Sequence, residues 1–260
     1  MSARPTPPEL TVVQRIPSGS NAVFRCVDPE GDSWVYKPSA GERPLVDFPA
    51  GSLAPREVAA FEVSAALGWD LVPETVEASG PGGPGMAQRW IEEPSTGVRV
   101  GPDPVDVHPL SDVPDDRVAV LRGEGAGGEE VVVAHAVTPR IRRAALFDLV
   151  INNADRKGGH LLVDSDGEVW AIDHGLAFHT EPKLRTVLWG WAGTPLPDED
   201  RAGLDSVLSD LSGSGALHRR LTALLAHEEI EALAARVESI IDDGEFPGPG
   251  PGYPLPWPLF

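Results

Sequence analysis

The chain has 260 residues, of which 41% are hydrophobic and 6% aromatic, and its formal net charge is −19 at pH 7. A chain of this length can bury about 70–75% of the surface that it exposes when unfolded, so one two-lobed domain or two small ones are expected. The strongly acidic balance argues against nucleic-acid binding, which needs basic patches, and against docking on anionic lipid surfaces.

Cysteine usage and hydropathy indicate the compartment. Cys26 is the single cysteine, so neither an internal disulfide nor a thiolate metal cluster is expected, and a reducing compartment fits. No apolar run approaches ~18 residues, and the N-terminus lacks an apolar signal core. We therefore expect a cytoplasmic protein without an integral membrane segment.

The first third of the chain predicts a small antiparallel sheet with one helix. Residues 1–9 are rich in proline and are expected to be disordered or extended. Ser52 suits a helix N-cap, and Gly68 suits the stop of the same helix. The predicted strands, from their alternating patterns and their Gly/Pro turns, are residues 10–16, 22–27, 33–38, 71–78 and 86–91. Residues 10–91 are thus expected to form a small β-rich lobe.

The rest of the chain predicts a larger, mainly helical lobe at residues 92–246 and a Pro/Gly-rich tail at residues 247–260. Within it, Thr138 suits the N-cap of a helix whose first residue is Pro139. Residues 92–130 give the weakest pattern, with short strands expected at 118–121 and 131–134, and further helices are expected at 204–211, 216–226 and 229–241. The tail contains Tyr253, Trp257 and Phe260, which would be unusual in a free linker. We expect the tail to pack back on the larger lobe, or else to engage a partner.

The stretch from Phe147 to Phe178 holds the densest group of polar residues. An apolar run gives way to a polar loop at residues 152–160, and two β-rich runs follow around Asp166-Gly167. An Asp-Gly pair between such runs is a strong hairpin signal. A two-residue turn places His160 opposite Asp173, and facing residues have Cβ atoms roughly 4.5–5.5 Å apart.

One end of this predicted hairpin therefore collects Asp155, His160 and Asp173, with Arg156 and Lys157 beside them. A longer turn shifts the pairing by a residue or two and leaves these groups neighbours. The alternative is a solvated loop, because Asp and Asn suit turns. We favour a site, because the polar residues surround apolar strands.

The motif Asn153-x-Asp155-Arg156, followed by Ile172-Asp173-His174-Gly175, resembles the paired motifs of the phosphoinositide 3-/4-kinase-like branch of the protein-kinase-like fold, which includes HipA-type bacterial kinases. In that branch a D-R-H-x-x-N loop carries the catalytic Asp and a metal-binding Asn, and a later D-F-G or D-x-G carries a second metal-binding Asp. Here His160 stands in the Asn position and Lys157 in the usual His position. The resemblance implies an α+β, two-lobed protein-kinase-like fold, with a small antiparallel-sheet lobe and a larger mainly helical lobe.

The resemblance further implies an ATP-dependent phosphotransferase that uses Mg²⁺ or Mn²⁺. Asp155 would orient or deprotonate the acceptor, and Arg156 or Lys157 would offset charge on the transferring group. Asp173, with His160 or Asn153, would hold the metal. Imidazole suits softer metals than Mg²⁺, so His160 leaves the identity of the ion open.

The resemblance also implies a nucleotide-binding set in the small lobe. The turn at 18–20 could wrap phosphate oxygens with its N–H groups, although ordinary hairpin turns look the same. Lys37 would contact phosphate and pair with Glu57, with Glu62 as the rival partner, and residues 88–91 would join the lobes where adenine bonds the backbone. The implied residues are Ser18, Gly19, Ser20, Lys37, Glu57, Gln88 and Trp90.

Two alternatives of a different class stay open. His160 in the Asn position favours a nucleotide-binding pseudokinase that acts as a regulator or scaffold. A metal-dependent hydrolase could use Asp155, His160, Asp173 and His174. Transfer of AMP to a protein belongs with the kinase-like interpretation, because a flipped nucleotide could use the same residues. For a phosphotransferase the acceptor is open, and the net charge favours a protein or small molecule over a lipid.

Overall fold

The computed structural model describes residues 9–17, 21–94, 103–213 and 215–260. Five antiparallel strands near the N-terminus form one sheet in the order β1-β2-β3-β5-β4, with helix α1 between β3 and β4. These elements are β1 (Thr11–Ile16), β2 (Val23–Val27), β3 (Ser33–Pro38), α1 (Leu53–Ala66), β4 (Thr75–Gly80) and β5 (Gly83–Arg89). The predicted five strands and helix are all present. β4 begins later than predicted, because buried Leu71 and Val72 precede it without joining the sheet.

Helix α1 begins and ends at the predicted positions, but with a different N-terminal cap. Ser52 occupies the N-cap position without a capping side-chain bond. The Glu42 carboxylate instead accepts hydrogen bonds from the backbone N–H groups of Leu53 at 3.3 Å and Ala54 at 3.0 Å. A carboxylate suits this position because free N–H groups at a helix N-terminus carry partial positive charge. Gly68, with φ +68°, follows the helix as its stop.

The second part of the chain contains more β-structure than the sequence predicts. Its elements are β6 (Val105–Pro109), β7 (Arg117–Glu124), β8 (Glu130–Ala136), α2 (Pro139–Ile151), β9 (Leu161–Val163), β10 (Val169–Ala171), α3 (Asp198–Leu211), α4 (Ala216–Leu221) and α5 (His227–Asp243). β6, β8 and β7 form an antiparallel sheet in that order, and β9 pairs with β10. Strand β6 is absent from the sequence prediction, because Pro104 and Pro109 bracket its short apolar pattern. Among the described helices, none is both long and apolar enough to cross a bilayer.

One continuous apolar core joins the helices to α1. Val63 of α1, Phe147 of α2, Leu204 of α3 and Leu233 of α5 are all fully buried in it. Each such side chain contributes about 1.5–3 kcal/mol relative to its exposed state. Helix α1 therefore packs against both the N-terminal sheet and the helices of the larger part of the molecule. A side chain that α1 directs between the sheet and those helices has a fixed position.

The β9–β10 hairpin has a three-residue turn, so the predicted two-residue turn is wrong. Val163 faces Val169, and the Asp164 N–H donates to the Glu168 carbonyl at 3.0 Å. The Asp164 carboxylate accepts from the backbone N–H groups of Asp166 and Glu168, both at 2.9 Å, which stabilises the longer turn. His160 consequently faces Ile172, one residue from the predicted partner Asp173.

The C-terminal tail packs back on the larger part of the molecule, which confirms the first of its two predicted fates. The Pro254 carbonyl accepts from the Thr186 N–H at 3.0 Å and from Trp189 Nε1 at 2.9 Å. Close to the C-terminus, the Leu259 carbonyl accepts from the Gly158 N–H at 2.8 Å. The tail thus reaches the polar loop that follows α2.

Candidate active site

The polar loop begins where α2 ends in a left-handed residue. Asn152 has φ +53°, a conformation that Asn tolerates better than most residues. Its amide nitrogen donates to the carbonyls of His179 at 2.9 Å and Glu181 at 2.7 Å. The chain therefore leaves α2 at a fixed angle and enters residues 153–160 with a defined direction.

Arg156 lies below this loop and outside the cleft. It is 0% exposed, and its Nε donates to the Asp148 carboxylate at 3.0 Å. Its Nη1 donates to the Ile172 carbonyl at 2.9 Å, and its Nη2 lies 2.7 Å from His174 Nε2. The expectation that Arg156 offsets charge on the transferring group is corrected, because every arm of the guanidinium is engaged in the interior. Its contacts join the two motifs to each other.

Asn153 is also committed within the loop. It is fully buried, its Nδ2 donates to Asp148 Oδ1 at 2.9 Å, and its Oδ1 accepts the Asp155 N–H at 3.1 Å. An amide with both ends engaged and no exposed surface does not suit a metal ligand, which corrects that expectation. Asn153 shapes the backbone that presents Asp155.

Asp155 reaches the cleft with its side chain 24% exposed, and its Oδ2 lies 3.0 Å from Lys157 Nζ. Burial raises the pKa of Asp155, the Lys157 ammonium opposes that shift, and the nearby negative charge of Asp173 adds to it. A carboxylate with a raised pKa is a better proton acceptor near neutral pH. Asp155 is therefore suited to take a proton from a group brought next to it.

Lys37 bridges the small sheet, α1 and the hairpin. Its Nζ lies 2.6 Å from Glu57 Oε1 and 2.8 Å from Asp173 Oδ1. Burial by itself lowers the pKa of Lys37, but the Asp173 and Glu57 carboxylates raise it by more, so the ammonium keeps its charge. Glu62, the rival partner, lies instead at 2.6 Å from Arg220 Nε.

The turn after β10 sends Asp173 and His174 in different directions. Asp173 has φ +61°, so the strand has ended before it. Its side chain is 47% exposed in the cleft, and Lys37 lowers its pKa well below the ordinary value. The His174 side chain is fully buried against Arg156, and the His174 backbone N–H donates to Glu57 Oε2 at 2.8 Å. The turn therefore directs the Asp173 carboxylate into the cleft and the His174 imidazole into the interior.

His160 lies beside Asp173 despite the shifted register. Its Nε2 is 3.4 Å from Asp173 Oδ2, and burial lowers the pKa of His160 to about 4. The imidazole is therefore neutral at pH 7 and keeps a lone pair. The ionised Asp173 and the neutral His160 could together hold one divalent cation through an oxygen and a nitrogen atom, a donor pair that suits Mn²⁺ better than Mg²⁺.

The hydrolase interpretation loses its ligand set. It needs His174 in the same site as Asp155, His160 and Asp173, and His174 is enclosed in the interior. Within the part of the chain that the structure describes, no group of three or more His, Cys, Asp or Glu side chains is arranged to hold a metal ion. Two protein donors suit a cation that a phosphate-bearing ligand also binds.

These groups open onto one cleft of about 740 Å³. That volume lies within the ~300–1,000 Å³ typical of small-molecule sites. Asp155 and Asp173 both line it, as do Lys37 and Glu57 from the small sheet and α1. The cleft thus brings together the ammonium groups of Lys37 and Lys157, the imidazole of His160, and several carboxylates, among them Asp155, Asp173 and Glu57.

The remaining predicted nucleotide-binding residues have mixed placements. Gln88 and Trp90 line the cleft, but the Gln88 amide donates to Thr75 at 2.9 Å, and the Arg25 guanidinium lies 4.6 Å from the Trp90 ring centroid. Ser18, Gly19 and Ser20 lie outside the described residues. Asn21, which follows them, lines the cleft.

Two contributors were missed at the sequence level. Asp148 holds Arg156 and Asn153 from inside α2, and its signal was an acidic residue within an apolar run. Phe260 lines the cleft from the end of the tail, and the sequence indicated that the tail packs without showing where.

Comparison with known proteins gives one curated relative and several structural neighbours. No protein-family model matches the chain. Protein Rv2133c of Mycobacterium tuberculosis is 48% identical over 259 residues, which cover 97% of this chain and 92% of that protein.

Among solved structures, the Helicobacter pylori proinflammatory kinase CtkA superposes with a TM-score of 0.50 at 10% identity, covering 92% of this chain and 93% of its own. The Golgi casein kinase gives 0.47 at 13% identity, covering 93% and 77%, and its form with Mn/ADP bound gives 0.47 at 14%, covering 92% and 73%. The fold is α+β and protein-kinase-like.

Proposed function

The chain belongs to the family of the Mycobacterium tuberculosis protein Rv2133c and has a protein-kinase-like fold, and from this we propose that it is an ATP-dependent phosphotransferase. The observation that carries the proposal is Lys37, whose ammonium contacts both Glu57 and Asp173 at the cleft that Asp155 also lines. Phosphoryl transfer depends mainly on positioning and on electrostatic stabilisation, and this cleft offers both.

Each charged side chain has a place in the proposed reaction. Lys37 contacts phosphate oxygens, and Glu57 holds it in position. Asp155 accepts the proton of the acceptor group, and Lys157, 3.0 Å away, offsets charge beside it. Mg²⁺ or Mn²⁺, held by Asp173 and His160, would neutralise charge on the phosphates. Local cations allow an acidic protein to bind ATP, because near charges dominate distant ones.

The finer assignment concerns the branch of kinases and the acceptor. The two motifs around Asp155 and Asp173 support the phosphoinositide 3-/4-kinase-like, HipA-like branch. A net charge of −19 disfavours an anionic lipid surface, so we favour a protein or small-molecule acceptor. Transfer of AMP with a reversed nucleotide would use the same residues.

A second candidate is a nucleotide-binding regulator without turnover. With Asn153 engaged in the loop, the proposed metal site is left with two protein donors, Asp173 and His160. Weak metal binding would slow transfer while leaving nucleotide binding intact. This candidate shares the cleft and differs in chemistry.

Nucleotide and metal titrations test the proposal. ATP at about 100 times its Kd should stabilise the fold by about 2.7 kcal/mol, which raises Tm by roughly 5–10 °C. The stabilisation should need Mn²⁺ or Mg²⁺ and should disappear on adding EDTA. Single-turnover reactions with excess protein should then convert ATP to ADP, as the γ-phosphoryl group passes to water or to a side chain of the protein itself. Stabilisation without ADP formation would favour the regulator, and no stabilisation with any nucleotide would refute both.

The variant His160→Asn tests the metal pair. An amide oxygen suits Mg²⁺ better than an imidazole does, so Mg²⁺ affinity relative to Mn²⁺ should rise about tenfold. The measurement is competition between the two ions in ATP-dependent stabilisation. His218→Asn, on α4 and outside the cleft lining, is the matched control. An unchanged ion preference would remove His160 from the metal site.

A further inference from the structure

The last residues of the chain enter the cleft. Pro258 and Phe260 line the same space as Lys37 and Asp173. Their position is fixed from two sides, because the Pro254 carbonyl is bonded to Thr186 and Trp189, and the Leu259 carbonyl accepts the Gly158 N–H at 2.8 Å. The end of the tail is therefore docked against the loop that carries Asp155.

The ring of Phe260 occupies space that Gly158 leaves open. A Cβ built at Gly158 would lie 2.6 Å from Cε1 and 2.7 Å from Cδ1 of Phe260. Any other residue at 158 must displace the ring. The loop thus borders the cleft through Lys157, Gly159 and His160, and leaves room at Gly158 for the Phe260 ring.

The tail holds a second aromatic side chain that makes a useful contrast. Tyr253 is 90% exposed and does not line the cleft, whereas Phe260 is 50% exposed and lines it. Phe260 thus keeps exposed surface and is part of the cleft wall. The same cleft is lined by Trp90 and Ile91, which follow β5, by Leu162 of β9 and by Ile172, which follows β10. An aromatic ring among such side chains suits a flat, apolar ligand face.

We propose that Phe260 is a nucleotide-binding residue, which packs against the nucleoside while Lys37 and Asp173 bind the phosphate end. This deepens the proposed function and rests on it. The tail then completes the nucleotide site, and Phe260 contributes to affinity for the base and ribose and adds nothing to the phosphate contacts. Contact between an aromatic ring and a base is worth about 1–3 kcal/mol.

The test is to measure, by calorimetry in the presence of Mn²⁺, how tightly the Phe260→Ala variant binds two ligands, one with a nucleoside and one without. The Kd for a non-hydrolysable ATP analogue should rise about tenfold, which is 1.4 kcal/mol. The Kd for tripolyphosphate, which has no nucleoside, should stay within about twofold. Tyr253→Ala removes an aromatic group from the same tail and should leave both constants unchanged. The Tm of the ligand-free protein checks that Phe260→Ala remains folded.

Gly158→Ala provides an independent test through the ring. Gly158→Ala should raise the Kd for the ATP analogue by a similar factor in the wild-type background. It should have little further effect on that Kd in Phe260→Ala, because the clash with the Phe260 ring is then gone. An unchanged or tighter ATP-analogue Kd in Phe260→Ala would overturn the role of the tail while leaving the phosphotransferase proposal standing. An equal loss for both ligands would also overturn it. Wild-type protein that binds neither ligand would refute the proposed function itself.

Discussion

Replacing Asp155 with alanine is expected to lower the single-turnover rate of phosphoryl transfer by about 10²–10⁴-fold. A factor of 10³ corresponds to about 4 kcal/mol of lost transition-state stabilisation. The physical reason is that Asp155 lines the cleft, pairs with Lys157 of its own loop while Lys37 pairs with Glu57 and Asp173, and has a pKa that is raised by burial. Without Asp155, no general base accepts the proton that the acceptor group loses during transfer. ADP formation, followed in rapid-quench reactions, measures the effect.

The same variant should leave nucleotide binding within about twofold, since Lys37 and Asp173 hold the phosphate end. Asp155→Asn keeps the shape and should lose nearly as much rate, which separates proton acceptance from packing. Asp112→Ala removes an exposed carboxylate that does not line the cleft, and it serves as the matched control. An Asp155→Ala protein that retains more than a tenth of the rate would exclude this residue as the base.

The small sheet was predictable because each strand is short and is bounded by strong turn residues. β1, β2, β3 and α1 lie within a residue or two of their predicted positions. Strand β6 was not predicted, because the prolines at its ends are typical of a loop and because it pairs with β8, which lies far from it in sequence. Pairing of that kind depends on the tertiary structure and leaves little local pattern.

The site was predictable in its parts and less so in its arrangement. Lys37 and Glu57 stand 20 residues apart, and only the family resemblance suggested that they meet. Arg156 looked exposed because it stands in a polar loop. Its true partner, Asp148, lies on the preceding helix, and neither composition nor spacing shows that the two side chains turn inward toward each other. A buried ion pair depends on the packing of several elements at once.

Arg156 therefore carries the second large expected effect, on stability. Asp148 and Arg156 are both 0% exposed. Burial raises the pKa of Asp148, and Arg156 opposes that shift. Arg156→Met removes the positive partner and leaves a buried carboxylate uncompensated, so the free energy of unfolding should fall by about 3–5 kcal/mol. Urea unfolding followed by circular dichroism measures the change.

A double variant separates the loss of charge compensation from the loss of packing. Asp148→Asn combined with Arg156→Met leaves no buried charge at this pair, so it should recover part of the stability that Arg156→Met loses. Arg122→Met, at an exposed arginine on β7, should cost less than about 0.5 kcal/mol. Because Arg156 also bonds the Ile172 carbonyl just before Asp173, the rescued fold should still show weaker metal-dependent ATP binding. A loss below about 1 kcal/mol for Arg156→Met would mean that the pair does not organise the loop.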